Sequence, residues 1–355
     1  MFKELKVIEL ASVLAGPAVG MFFSELGADV TKVENKRSGG DMTRKWKLPT
    51  ESDDSDVSAY FSSVNYHKKH LLKDFSLAGD LAEVHDLIKD ADIVITNFKK
   101  GSAEKLSMDY KTLLALNNKL IYAQIEGFTS DPQKVAFDVV LQAETGFMGM
   151  NGYADREPAK LPVALIDLLA AHQLKEGILI ALLKREKEGK GSLVSVSLEE
   201  AALASLANQA SNYLMEGHIP QRTGSLHPNI APYGEVFSTK DGAQIVLAVG
   251  TDHQFVELCD ILNCQDIVSS KKYANNKQRV INRVELKEIL SNYIGNWDLE
   301  KIISKCKTRK IPVGEIKNMQ QVMNSPTARQ MILKENIEGK DTKRLKTVAF
   351  QISSD

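Results

Sequence analysis

The chain has three cysteines in 355 residues, Cys259, Cys264 and Cys306, and none of them forms a C-x-x-C pair. An odd number at unpaired spacings excludes a disulfide framework and reads as reduced thiols in a cytoplasmic protein. Long apolar runs are missing too, so no bilayer-spanning helix is expected. Met1-Phe2-Lys3-Glu4-Leu5-Lys6 leads straight into a strand pattern, with no apolar signal-peptide core. The first strand-to-helix turn contains Ala15-Gly16-Pro17-Ala18-Val19-Gly20 rather than G-x-G-x-x-G, which leaves NAD binding unsupported. Charge of one sign is also absent: 45 Lys and Arg against 46 Asp and Glu leave a formal net charge of −1. That excludes a generally basic nucleic-acid binder but leaves room for a local basic pocket. Neither an internal repeat nor a low-complexity stretch is found.

What remains is an ordinary globular composition, 43% hydrophobic and 26% charged, long enough for two domains. Leu5–Leu10 alternates apolar and polar residues as a strand, a helix pattern runs through Met21, Phe22 and Leu26 to Gly27, and Asp29–Glu34 is a second strand. This β-α-β unit implies a parallel sheet. Residues 35–59 read as a long polar loop. A helix near 77–89, strands at 93–97 and 119–125, and a helix from Phe137 to Met150 follow. A strand near 162–166 then turns into a long helix ended by Gly189-Lys190-Gly191. Ser197 and Glu200 form a capping-box pattern. Prolines and glycines in 218–234 mark a linker. Lys240-Asp241-Gly242 predicts a hairpin turn, and helices near 255–262, 283–295, 298–308 and 319–335 complete the pattern. The expected organisation is a large domain over 1–217, the linker at 218–234, a small α+β domain over 235–309, and a C-terminal segment, 310–355, returning to the large domain.

Asp167 is the most informative single residue. It stands in the apolar run Pro162–Ala171, where a carboxylate is costly to bury without a partner. A helix N-terminus can hold it, because free N–H groups and the helix dipole favour negative charge. It therefore reads either as an N-cap or as a reactive carboxylate delivered to a cleft. His67 and His70, in Tyr66-His67-Lys68-Lys69-His70, have a metal-compatible spacing but no further ligand set, so a solvated basic stretch is expected and no metal. His172 is expected to be packed on the buried helix, and Cys259 in the core.

Four segments, taken in order, resemble the family III CoA-transferases over residues 3–335. They are Leu10–Pro17 continuing through Leu26–Glu34 to Gly40-Asp41-Met42-Thr43-Arg44; Ala91–Phe98 with Gly101; Ala136-Phe137-Asp138 through Gln142, Gly146, Gly152 and Asp167 to Gly189-Lys190-Gly191; and Thr239–Gly242, Asp252–Phe255 and Lys310–Gly314. The resemblance implies an α/β fold with a Rossmann-like large domain, a smaller α+β domain, and a homodimer of interlocked rings. It places Asp167 at the family's catalytic aspartate, which forms an acyl anhydride. Such a nucleophile should stay ionised, so burial should not raise its pKa. Val13, Leu14, Ala15, Gly16 and Pro17, with Asn97, Phe98 and Val135 through Ala136, Phe137 and Asp138, match segments lining the CoA site. Lys36, Arg37 and Arg44 are candidates for the nucleotide phosphates. No permanently bound cofactor is implied: coenzyme A and acyl-CoA are substrates, and neither nucleic acid nor membrane is a partner.

Two departures narrow the expectation. Racemases of the superfamily carry a histidine at the position of Phe137, and a phenyl ring cannot move a proton. Leu14 stands where formyl-CoA transferase has a glutamine, and residues 228–250 lack that enzyme's glycine-rich loop, which argues against oxalate. The expected activity is acyl-CoA:carboxylate CoA transfer with a donor such as succinyl-CoA. The alternative is acyl-CoA racemisation. Asp252 and His253 are weaker candidates for contact with the acyl group.

Overall fold

The computed structural model describes residues 2–353. The chain forms two compact units. The first contains the residues up to Met148, Lys160–Pro220 and the chain from Thr327 onward. Its centre is a six-stranded sheet in the order β3-β2-β1-β4-β5-β6, built from β1 (Lys6–Glu9), β2 (Asp29–Asn35), β3 (Lys68–Lys73), β4 (Ile93–Thr96), β5 (Ile121–Glu126) and β6 (Ser192–Ser197). Every pairing is parallel.

Alternate side chains of these strands face two separate cores, as a sheet covered on both faces requires. Val7, Ile93, Ile95, Ile121 and Ala123 pack on one side, while Ile8, Val94 and Tyr122 pack on the other. The first side is covered by α1 (Ala15–Glu25) and by the long α3 (Leu165–Glu188), with α2 (Asp138–Glu144) packed against α3. Ten of the eleven residues of α1 are buried, which suits a helix lying directly on a sheet. Pro17 falls in its first turn, where a missing N–H costs nothing.

Several expectations change. The helix expected over 137–150 breaks at Thr145-Gly146, where Gly146 has φ +89°, and resumes only as Phe147–Met150. No strand leads directly into Asp167: residues 161–164 are irregular and the helix begins at Leu165. The basic stretch at 67–70 is solvated only in part: His67 and Lys69 are exposed, whereas Lys68 and His70, on the inward face of edge strand β3, meet the buried carboxylates Glu9 and Glu34. His172 is exposed rather than packed. The helix expected over 319–335 is cut at Pro326, leaving Met319–Met323 and Pro326–Gln330. After it comes an antiparallel hairpin of β10 (Ile332–Ile337) and β11 (Lys340–Leu345). Its two-residue turn, Glu338-Gly339, has positive φ at both positions, the geometry that suits a tight hairpin. Within the first unit this hairpin is tied down by Lys340 to the Val57 carbonyl at 2.6 Å and by Arg344 to the Ser62 carbonyl at 2.6 Å.

The second unit contains Gly149–Ala159 and Gln221–Pro326. Strands β7 (Tyr233–Ser238), β8 (Gln244–Ala248) and β9 (Val313–Glu315) form an antiparallel sheet. Helices Asp252–Leu262, Arg283–Ile294 and Leu299–Thr308 supply Leu258, Leu290 and Ile302 to its core, with Cys259 buried among them. The segment at 313–315, expected with the C-terminal return, instead pairs with β8. Asp252 bonds the buried Arg279 at 2.6 Å within this unit, which accounts for its charge locally.

Candidate active site

The strand order reverses direction between β1 and β4, and open α/β sheets bind ligands just beyond the carboxyl ends of their strands at such a point. A cleft of about 520 Å³ lies there, lined by residues that include Ser12, Asn35, Asp41, Phe75, Asn97 and Phe98. That volume is within the usual range for a small-molecule site, roughly 300–1,000 Å³. Lys45 and Lys99 also line it. Neither was singled out from the sequence, where both sit among many exposed lysines.

The loop from β1 into α1 is held from several sides. The Ser12 N–H donates to Asn97 Oδ1 at 3.1 Å, and Asn97 Nδ2 donates to the Ser12 carbonyl at 2.8 Å. Asn97 thus clamps the loop by its backbone. Val13 has φ +73°, a left-handed conformation that a β-branched residue rarely adopts. Such a backbone costs about 1–2 kcal/mol. Its N–H donates to both Asp41 oxygens, at 3.1 and 3.3 Å. Leu14, the N-cap of α1, makes no side-chain capping bond, and no other bond is found for the Ala15 and Gly16 N–H groups among the described residues. A Cβ on Gly16 would lie 2.3 Å from the Ala11 Cβ, so glycine is what allows α1 to approach this closely. The Leu14 side chain is buried in the core.

Asp167 is the third residue of α3, not its N-cap; Ala164 holds that place and has no side chain able to cap. The cap comes from α2. Asp138 Oδ1 accepts the Ile166 N–H at 2.7 Å, and its other oxygen accepts from Gln142 Nε2. Gln142 Oε1 in turn accepts the Leu161 N–H at 2.8 Å, fixing the approach to α3. Asp138 is therefore satisfied, whereas no hydrogen bond reaches the Asp167 carboxylate among the described residues. Asp167 is only 8% exposed. Burial, and then the negative charge of Asp138, push it up to about 7. This overturns the expectation that burial would leave the carboxylate unperturbed. The sequence shows neither the depth of the site nor the second carboxylate beside it.

Tyr60 was not anticipated. Its side chain is half-buried, and burial first, then the negative charges of Asp167, Asp138 and Asp41, raise its pKa. Trp46 meets it edge to face, with ring centroids 5.0 Å apart. Trp46 belongs to the polar stretch 35–59 read as a loop and Tyr60 follows directly after it, and no sequence pattern links either to Asp167.

The remaining candidates separate. Ala136 is partly buried, Phe137 is 43% exposed at the N-cap of α2, and Val135 is exposed. Phe98 packs on the sheet core. Lys36 and Arg37 are exposed on a short turn after β2. Arg44 is a correction: its guanidinium is buried and grips Glu34 through two bonds of 2.6 and 2.7 Å, and Glu338 at 2.9 Å. Burial alone would raise the Glu34 carboxyl, but Arg44 and His70 hold it well below the usual range. With its charge already matched, Arg44 ties the C-terminal hairpin to the sheet and is not available to a phosphate. No group of three or more potential metal ligands occurs among the described residues. None of the described helices is long and apolar enough to cross a membrane.

A doubly wound sheet with a crevice at its switch point, and a buried carboxylate with a raised pKa in the same unit, are features shared by many α/β enzymes. The model of CoA-transferase family III matches residues 2–355, and the chain belongs to that family. The chain is 38% identical over 343 residues to the succinate–glutarate CoA-transferase of Agrobacterium fabrum, covering 95% of this chain and 85% of that protein. It is 31% identical over 325 residues to the human succinyl-CoA:glutarate CoA-transferase, covering 91% and 73%. A crystal structure of a CAIB/BAIF family protein from Brucella suis superposes with a TM-score of 0.87 at 35% identity, over 99% of this chain and 93% of that one.

Proposed function

We propose that the protein moves coenzyme A from a dicarboxylic acyl-CoA, of which succinyl-CoA is the model donor, to a free carboxylic acid, with Asp167 as the nucleophile. The observation that carries this reading is the Asp167 carboxylate itself: buried, without a hydrogen-bond partner among the described residues, and aimed from the first turn of a helix that Asp138 caps.

In this reading CoA lies along Val13–Pro17, with Asn97, Phe98 and the Ala136–Asp138 segment beside it and Lys36 and Arg37 near its phosphates. The Asp167 carboxylate attacks the thioester carbonyl, forming an aspartyl anhydride and releasing CoA thiolate. The thiolate attacks the aspartyl carbonyl, giving an aspartyl-CoA thioester and freeing the donor acid. The acceptor carboxylate attacks that thioester, forming a second anhydride and releasing the thiolate again. Attack of the thiolate on the acceptor carbonyl yields the new acyl-CoA and restores Asp167. Each step exchanges one acyl leaving group for another, so a difficult transfer becomes several easier ones. The uncapped amides at the start of α1 suit a developing oxyanion.

Racemisation is the weaker reading. It needs a base at Phe137, and the relatives named above are CoA-transferases. The test is to incubate the protein with succinyl-CoA and glutarate in deuterated buffer. Glutaryl-CoA without α-deuteration supports transfer. Deuterium at the α-carbon with no new thioester contradicts it.

We also infer a homodimer, in the interlocked-ring form that the family resemblance implies. In the first unit, Ile180, Leu183, Tyr213, Leu214 and Met215 are more than half exposed on the single chain, and a second copy would cover them.

A further inference from the structure

Four charged side chains with no solvent exposure lie beneath the loop from Ala11 to Pro17. Lys32 Nζ is 2.9 Å from Glu9 and 3.0 Å from Asp41, and Lys68 Nζ is 2.7 Å from the other Glu9 oxygen. The set is formally neutral, two cations against two carboxylates. Each cation also spends a bond on backbone: Lys32 donates to the Ala11 carbonyl at 2.7 Å, and Lys68 to the Pro17 carbonyl at 2.9 Å. Asp41 completes the set by accepting the Val13 N–H with both oxygens. Three members thus bind the loop at Ala11, Val13 and Pro17, while Glu9 binds the two lysines. Asp41 is itself fixed, accepting from the Thr43 N–H and hydroxyl at 3.0 and 2.8 Å, and its own N–H donates to Glu34 at 2.7 Å.

Burying four charges is expensive, and hydrophobic replacements of equal volume are often no less stable. The return here is geometric. Val13 sits in a backbone conformation that its own side chain opposes, so something outside the loop must hold it there. We infer that Asp41 is a positioning residue, which holds Val13 left-handed so that the Leu14–Gly16 amides and the cleft wall keep the shape that CoA requires. Its consequence for activity rests on the CoA-transfer reading above; its consequence for the loop does not.

The experiment combines two readouts on the full-length protein. Hydrogen–deuterium exchange of the peptide spanning residues 11–17 reports loop order in the free protein, and calorimetric titration with free CoA reports binding. Asp41→Ala is expected to speed exchange in that peptide and weaken CoA binding at least tenfold. Glycine adopts positive φ without strain. Asp41→Ala/Val13→Gly is therefore expected to regain several-fold of that affinity, a rescue that general destabilisation would not give. Should Asp41→Ala not fold, Asp41→Ser with and without Val13→Gly makes the same comparison, since the serine hydroxyl can still accept the Thr43 N–H but the side chain is too short to hold the Val13 N–H as well. The inference is overturned if the Asp41 variant melts earlier but keeps exchange and affinity within twofold of wild type, or if Val13→Gly rescues nothing. A wild-type protein that does not bind CoA contradicts the functional reading instead, and the exchange comparison then decides the role of Asp41 by itself.

Discussion

At the residue scale, the Asp167 environment makes predictions about pH. A carboxylate nucleophile works only when ionised, and burial and Asp138 raise its pKa to about 7 in the free protein. The kcat/KM for acyl-CoA should therefore fall about tenfold per pH unit below that value and level off above it, as a pH–rate series would show. A profile flat down to pH 5 would contradict the assignment. Stability has the opposite dependence. The folded pKa lies above the unfolded one, so the native state binds the extra proton. The stability this contributes is fully present below pH ~4 and lost as pH rises through about 7. Asp167→Asn should accordingly melt higher than wild type at pH 8, by an equivalent of up to roughly 4 kcal/mol, and match it near pH 4. Glu9 behaves differently, because it compensates both Lys32 and Lys68. Glu9→Ala should cost about 3–5 kcal/mol in urea unfolding by leaving buried cations unpaired. A loss below 1 kcal/mol would mean the array is hydrated.

At the element scale, the packing of α1 on β1 is the feature most open to test. A Cβ on Gly20 would stand 1.9 Å from Glu9 Oε2 and 3.4 Å from Lys68 Nζ. Gly20→Ala should thus push α1 off the buried charges and destabilise the protein by about 1–3 kcal/mol, although alanine is the better helix former. A stabilised variant in thermal melting would contradict that packing. This same region shows what the sequence made legible. The apolar, β-branched residues of Leu5–Leu10 and Asp29–Glu34 revealed β1 and β2 as strands, but not that neighbours such as Val7 and Ile8 face two separate cores. Lys68 and His70 concealed β3: their inward-facing positions are basic, and only the long-range partners Glu9 and Glu34 make burial tolerable. The β10–β11 hairpin was hidden likewise, since its alternating charged residues resemble a polar helix face until Arg44 is seen to bind Glu338. Asp167 stood out because it interrupts an apolar run. Its companions Asp138 and Tyr60 come from distant segments, and no local pattern brings them together.

At the scale of the whole molecule, the exposed apolar side chains of the first unit predict self-association. Sedimentation equilibrium should give twice the 39.3 kDa chain mass at micromolar concentration. A monomer there would contradict the dimer. The central claim is that one buried carboxylate carries the acyl group, and intact-mass spectrometry after mixing with succinyl-CoA tests it most directly. Wild type should gain a covalent adduct of the acyl group or of CoA, reversed by free carboxylic acid, and Asp167→Ala should gain none. An adduct of equal yield in Asp167→Ala, or catalytic turnover that survives the substitution, would show that Asp167 is not the nucleophile.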